Sequence, residues 1–153
     1  MKKTIIVDII SCLYAMLFLY TGIYKFLDQE LFRQALSKSP LLSSFTPVLA
    51  IGIPALEILI AFSLLLPFFR TTKWARKWGL YTGTALMAIF TLYIGYMLKF
   101  EHGRLPCSCG GIIQKMNWHQ HFYFNSCFTL LGILAIWLNH RQFKENKNSL
   151  AFS

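Results

Sequence analysis

The chain has 153 residues, a length that suits a single domain. Hydrophobic residues make up 56% of it and charged residues only 14%, whereas a water-soluble domain normally carries about 25% charged residues. The net charge of +9 does not indicate a nucleic acid partner, because the basic residues lie in short runs between long apolar stretches. Such runs are typical of the flanks of membrane spans. Composition therefore excludes an ordinary soluble domain and predicts a protein embedded in the lipid bilayer.

Four segments are long and apolar enough to cross a bilayer, since about 20 helical residues span the roughly 30 Å hydrocarbon core. We predict these spans at residues 5–24, 48–69, 78–98 and 121–138. Helices are the expected form, because the segments lack the alternation of barrel strands and a helix satisfies its own backbone groups in lipid. The first span has no signal-peptide cleavage pattern after it and is predicted to be retained. The predicted fold is an all-α bundle of four transmembrane helices, forming one domain over residues 1–153.

A short amphipathic segment between the first two spans runs from Asp28 to Pro40. Its apolar residues fall on one side of a helix, and Pro40 disfavours the helical state of Ser39 before it. We therefore predict a short interfacial helix that ends at this position. Five glycines within the spans are expected to lie at helix contacts, where a small residue lets two backbones approach. They are Gly22, Gly52, Gly79, Gly83 and Gly132.

The distribution of Lys and Arg predicts the orientation of the spans. Nine of these residues fall on the side that holds both termini, and six fall on the other side, where three acids offset them. The positive-inside rule therefore places both termini in the cytoplasm of a bacterial cell, with the chain as a multi-pass protein of the inner membrane. The polar loop at residues 99–120 is then predicted to face the periplasm.

This loop carries a Cys-Ser-Cys-Gly-Gly motif that contains Cys107 and Cys109. Two thiols one residue apart on the oxidising side of the membrane can close a disulfide or pass one on by exchange. Two alternatives stay open: the cysteines staple the loop, internally or to Cys127, or they bind a metal together with histidines. Three histidines lie in or beside the same loop: His102, His119 and His121. Their spacing matches no standard metal site, so no metal is assigned.

Two charged residues, Asp8 and Glu57, lie within the predicted spans, and Lys25 directly follows the first span. Glu57 interrupts the second span, and a carboxylate near the middle of a span costs about 3 kcal/mol on insertion scales. It is either a proton-handling acid near a quinone or proton path, or a neutral acid that hydrogen-bonds across helices. In the second case its hydrogen-bond partner across the helices is Tyr20, Thr21 or Asn125. Asp8 is expected to reach the headgroups, and Lys25 is expected to snorkel toward the interface at its end of the first span.

Several of these residues fall in stretches that are similar to known membrane proteins. The stretch Tyr20–Phe26 resembles the first-span signature of the DoxX-like proteins, as does Pro54–Ile58 in the second span. Pro106–Gly111, with Trp118, His121 and Asn125 after it, resembles the MauE branch of that group, and the resemblance covers about Asp8 to Leu138. Members of this branch are redox-associated and implicated in the maturation of periplasmic methylamine dehydrogenase.

The resemblance implies that Cys107 and Cys109 are the redox pair and that Glu57 is the family's acid in the second span. The vitamin K epoxide reductase and disulfide-bond-forming groups, which also have four spans, use a Cys-x-x-Cys and a second outer pair. This chain has neither of these. A self-contained quinone-linked oxidase is therefore not the favoured prediction.

The sequence thus predicts an inner-membrane component that exchanges disulfides or passes electrons through Cys107 and Cys109. Its expected partner is a periplasmic thioredoxin-like protein or a client protein. Two alternatives belong to other classes: a non-enzymatic assembly scaffold with a structural cysteine pair, and a metal-binding outer loop. A quinone is the one candidate cofactor, and no cofactor is assigned. The sequence does not decide whether the protein is an enzyme.

Overall fold

The structure, a computed structural model, describes residues 2–39, 41–69, 73–100 and 117–151. These residues form five α-helices, with a 3₁₀ turn at Ser43–Phe45, and contain no strand. The helices are α1 (Lys2–Leu27), α2 (Gln29–Lys38), α3 (Thr46–Phe69), α4 (Lys73–Phe100) and α5 (Trp118–Ala151). The predicted all-α fold is confirmed.

Within the described residues, four helices are long and apolar enough to cross a membrane. The qualifying stretches are Thr4–Leu27, Ser43–Pro67, Trp74–Phe100 and Trp118–Arg141. Large apolar side chains are exposed along the outside of these helices, as at Met16, Leu59, Leu92 and Leu130. Contact with lipid accounts for such a surface, which a protein in water rarely presents. The helices are longer than the predicted spans because helical structure continues into the polar residues at their ends.

The long helices alternate in direction and pack through small residues. A Cβ atom placed on Gly22 of α1 would lie 2.9 Å from Cγ1 of Ile58 on α3, and one on Gly79 of α4 would lie 2.9 Å from Cδ2 of Leu64. The predicted role of glycine in helix contacts is confirmed at these positions and at Gly83 and Gly132. It is wrong for Gly52, which has no neighbouring atom within 4 Å of such a Cβ because it lies on an exposed face of α3.

Three helices meet around the fully buried side chain of Tyr14. The Tyr14 hydroxyl on α1 donates a hydrogen bond of 2.5 Å to the carbonyl oxygen of Phe128 on α5. One turn farther along α5, a Cβ on Gly132 would lie 2.3 Å from both the Tyr14 hydroxyl oxygen and Oγ1 of Thr84 on α4. The bundle thus depends on the missing side chain at this position.

The short helix predicted between the first two spans is confirmed as α2. Its buried residues, Phe32 and Leu36, pack beside Ala50 of α3, while most of its other side chains are exposed. At its end, the Tyr93 hydroxyl of α4 donates a hydrogen bond of 2.9 Å to Oγ of Ser39. Helix α2 therefore lies across one end of the bundle. Lys25 of α1 lies at the same end.

At the opposite end, Asp8 of α1 forms an ion pair with Arg76 of α4. Nη1 of Arg76 lies 2.6 Å from Oδ1 of Asp8, and the two side chains are 16% and 36% exposed. Asp8 was expected to reach headgroups. That expectation stays a prediction, and the structure adds that the charge of Asp8 is met by an arginine on a neighbouring helix.

We expect the substitution Asp8→Asn to lower the free energy of unfolding by no more than about 1 kcal/mol, because a partly exposed ion pair contributes little. The measurement is the unfolding midpoint of the purified protein in a denaturant titration in detergent micelles. A loss of several kcal/mol would show that this pair, and not only the buried core, holds α1 and α4 together.

Candidate functional site

The candidate site is built around an ion pair inside the bundle. Nζ of Lys25, near the end of α1, contacts Oε1 of Glu57, in the middle of α3. The Lys25 side chain is 4% exposed and that of Glu57 is 1% exposed. Gly22, one turn before Lys25, permits this contact because a Cβ there would lie only 3.2 Å from the carbonyl oxygen of Pro54. The close approach of α1 and α3 thus places the two charges together.

This pair corrects two expectations. Lys25 does not snorkel toward the interface, because its ammonium turns inward to the acid on the facing helix. Glu57 pairs with Lys25, which was not one of the three partners predicted from the sequence. The physical reason is common to both: a buried charge is far less costly when an opposite charge meets it. The sequence did contain a signal for this ion pair, namely two opposite charges in neighbouring membrane-spanning helices.

Two aromatic rings complete the surroundings of the Lys25 ammonium. Its Nζ lies 5.5 Å from the ring centroid of Phe32 on α2 and 5.4 Å from that of Phe90 on α4. A cation within about 6 Å of an aromatic face is attracted by the ring quadrupole, and more strongly where water is excluded. Residues of three other helices, α2, α3 and α4, therefore contact this one cation.

A small cavity with both polar and apolar side chains in its wall lies next to the ion pair and has a volume of about 30 Å³. Helix α5 contributes two buried polar side chains to its wall, His121 and Asn125, which lie one helical turn apart. Thr21 of α1 also lines it, and its hydroxyl donates to the Leu17 carbonyl at 3.0 Å. Roughly 10–15 Å³ is enough to hold a water molecule. The cavity can therefore solvate the charged pair with a water or two.

The residues that carry the sequence resemblance converge here from three separate spans. Thr21 and Lys25 belong to the first-span stretch, Glu57 to the second, and His121 and Asn125 to the last. His121 is 2% exposed and faces this cavity, whereas His119 is exposed. His119 and His121, two of the three histidines proposed as metal ligands, thus lie in different surroundings. The sequence spacing could not predict that residues of three spans meet at this cavity, because their meeting depends on how the helices are rotated.

A second, larger cavity of about 380 Å³ lies on the other side of Lys25, beneath α2. Among the described residues, its walls are almost entirely apolar, and Lys25 is the single charged residue that lines it. Tyr93 of α4 and Trp118 at the start of α5 also line it. Lys25 and Phe90 contribute to the walls of both cavities.

The two predicted redox cysteines, Cys107 and Cys109, lie outside the described residues, as does His102. Their segment joins Phe100 of α4 to Asn117, just before α5. The two cysteines that the structure does describe, Cys12 and Cys127, are both free thiols. A staple from the loop to Cys127 therefore finds no support. In the described part of the chain, no group of three or more His, Cys, Asp or Glu side chains is placed to hold a metal ion.

The helices and this site together define a multi-pass membrane protein with a charged pair buried between its first two long helices. A family model described as "Methylamine utilisation protein MauE" matches residues 3–138, which is most of the chain. The chain therefore belongs to the MauE family, whose members are membrane proteins related to methylamine utilisation. The resemblance to MauE is confirmed, while the link to DoxX-like proteins stays a prediction. No curated protein and no solved structure matches the chain.

Proposed function

We propose that this chain is an inner-membrane component of thiol–disulfide exchange that supports the maturation of periplasmic proteins. Its family membership favours proteins of the methylamine dehydrogenase type as the clients. The observation that carries the proposal is the pair of thiols, Cys107 and Cys109, one residue apart within the region that matches the family. The segment that holds them joins α4 to α5, and Trp118 at its end lines a cavity together with Lys25. The distribution of Lys and Arg supports a periplasmic position for the segment between α4 and α5.

The exchange proceeds in two steps that conserve electrons. A client thiolate attacks one sulfur of the Cys107–Cys109 disulfide, so that a mixed disulfide forms and the other cysteine leaves as a thiolate. A second client thiolate then displaces the bound cysteine. The client gains a disulfide, and Cys107 and Cys109 together gain two electrons. A thioredoxin-like protein takes the place of the client when it serves as the intermediate carrier.

Glu57 is the proposed proton-handling acid of this system. Reoxidation of the two thiols releases two protons, and Glu57 lies beside a cavity whose size admits water and whose wall includes His121. Lys25 keeps the carboxylate close to this cavity by pairing with one of its oxygens. This role depends on the redox role of the cysteines and is proposed together with it.

Replacing Cys107 or Cys109 with Ser is expected to stop client oxidation, because one thiol cannot close the disulfide that starts the exchange. The measurement is the fraction of oxidised client thiols in cells, followed by alkylation with a mass label, together with the amount of the variant in the membrane. The matched control is Cys127→Ser, which replaces an exposed thiol on α5 and should leave client oxidation unchanged.

The two outcomes separate a redox role from a structural one. Loss of client oxidation with normal membrane abundance supports exchange. Unchanged client oxidation in both single variants contradicts it. A fall in abundance without a specific loss of oxidation would indicate the alternative class, an assembly scaffold whose cysteines hold the loop.

A further inference from the structure

We propose that the large apolar cavity beside Lys25 is a binding site for the head group of a lipid-soluble quinone, with the Lys25 ammonium as a hydrogen-bond donor to a quinone carbonyl. The cavity volume of about 380 Å³ falls within the usual range for small-molecule sites, roughly 300–1,000 Å³. Such sites combine apolar walls with a few polar groups that fix the ligand's orientation, and among the described lining residues Lys25 is the charged one.

The charge balance of the site selects a neutral ligand. Glu57 already neutralises Lys25, so a ligand carboxylate or phosphate would bring a second anion to one buried cation. The cost of an unmatched charge in such surroundings is high. A neutral carbonyl oxygen avoids this cost, because an ammonium has three N–H donors and the contact with Oε1 of Glu57 uses one of them. Fatty acids and phospholipid headgroups are therefore disfavoured.

The walls select a planar ring with an apolar tail. Phe32 and Phe90, whose rings flank the ammonium, line the cavity together with Tyr93 and Trp118. Aromatic side chains pack favourably against a second ring in stacked or edge-to-face arrangements. A quinone ring provides that surface and presents its carbonyl oxygens at the ring edge, where Lys25 can reach one of them.

The cavity also has a route from the lipid. Leu56 of α3 and Ile89 of α4 both contribute to its wall, and they are 42% and 59% exposed on the outside of the bundle. These side chains face the position that lipid would occupy around the helices. A ligand dissolved in the bilayer can therefore enter sideways between α3 and α4, with its tail remaining among apolar side chains.

Binding of the quinone does not rest on the proposed function, whereas its role as electron acceptor does. In that role, the Cys107 and Cys109 thiols would give up two electrons and two protons to form their disulfide. The quinone would take up both electrons, and its two oxygens would take up two protons, which yields a quinol. The overall change balances without any further oxidant.

The test is a titration of the purified chain in lipid nanodiscs with decylubiquinone, followed by quenching of tryptophan fluorescence. We expect saturable quenching that is largely lost in Trp118→Phe, since Trp118 lines the cavity. Ala35→Phe fills the cavity from α2 and is expected to weaken binding at least tenfold. The matched control is Ala85→Phe, which places the same side chain on an exposed position of α4 that does not line the cavity.

A further variant tests the donor itself. The double substitution Lys25→Met with Glu57→Met keeps the region neutral and apolar but removes the ammonium, and it is expected to weaken decylubiquinone binding about tenfold or more. Decanol, which has an alkyl chain and no quinone ring, should not compete. Equal competition by decanol, or unchanged binding in both the double variant and Ala35→Phe, would overturn the proposal.

The Cys107→Ser and Cys109→Ser double variant keeps the two hypotheses distinguishable. Because neither residue is part of the cavity wall that the structure describes, this variant should bind decylubiquinone as the unmodified chain does. Retained binding with loss of client oxidation supports both hypotheses. Absent binding in the unmodified chain overturns the quinone site and leaves the exchange function to its own test.

Discussion

The substitution Lys25→Met is expected to lower the free energy of unfolding by about 3–5 kcal/mol, the usual cost of removing one partner from a buried ion pair. Glu57 would remain between the helices at 1% exposure without the cation that it contacts. The measurement is the unfolding midpoint in a denaturant titration in detergent micelles, with membrane abundance as a second readout. Glu57→Met should have an effect of similar size, since it leaves the lysine in the same position.

The double variant shows whether the effect comes from an unmatched charge. Lys25→Met combined with Glu57→Met should recover most of the lost stability, because an apolar pair of similar volume often replaces a buried ion pair at little cost. The partly exposed pair Asp8–Arg76 is the matched control, where the same cycle should give a much smaller coupling. Equal coupling energies at the two pairs would contradict the interpretation that burial makes Lys25–Glu57 special.

The substitution Gly132→Ala is expected to lower the free energy of unfolding by about 1–3 kcal/mol, despite the higher helix propensity of alanine. The added Cβ would lie 2.3 Å from both the Tyr14 hydroxyl oxygen and Thr84 Oγ1, so that α5 must move away from α1 and α4. The hydrogen bond from Tyr14 to the Phe128 carbonyl would be disturbed as well. The same denaturant titration measures this effect.

Two controls define the cause of the Gly132→Ala effect. Gly52→Ala introduces the same methyl group where no atom lies within 4 Å, and it should not destabilise the protein. In a background with Tyr14→Phe and Thr84→Ala, which lacks the two closest atoms, the cost of Gly132→Ala should shrink. A cost that stays the same in that background would place the clash elsewhere.

The spans and α2 could be predicted because their signals are local. Hydropathy over about 20 residues and the apolar side of residues 28–40 depend on neighbours along the chain, and both agree with the structure. The helix ends could not be fixed in this way, since helical structure continues beyond the apolar residues. Glu57 was identified as a special position because a carboxylate within a span requires a reason.

The partner of Glu57 and the cavities could not be predicted, because they depend on how the helices are rotated and packed. Lys25 lies near a span end, where snorkelling is the usual behaviour of lysine, and only the nearby α3 makes the inward position favourable. The large cavity exists because α2 folds across one end of the bundle, which no pattern within a single helix specifies. For the same reason, Gly52 could not be distinguished from the four glycines at contacts.

The reduction potential of the Cys107–Cys109 pair tests the central claim most directly. It is measured by equilibrating the purified chain, with Cys12→Ala and Cys127→Ser, in thiol–disulfide buffers and counting free thiols with a mass label. We predict a two-electron transition above about −300 mV, in the range of exchange proteins rather than of structural disulfides. A pair that stays oxidised well below −300 mV, or that forms no disulfide even at −150 mV, would contradict the proposed exchange function.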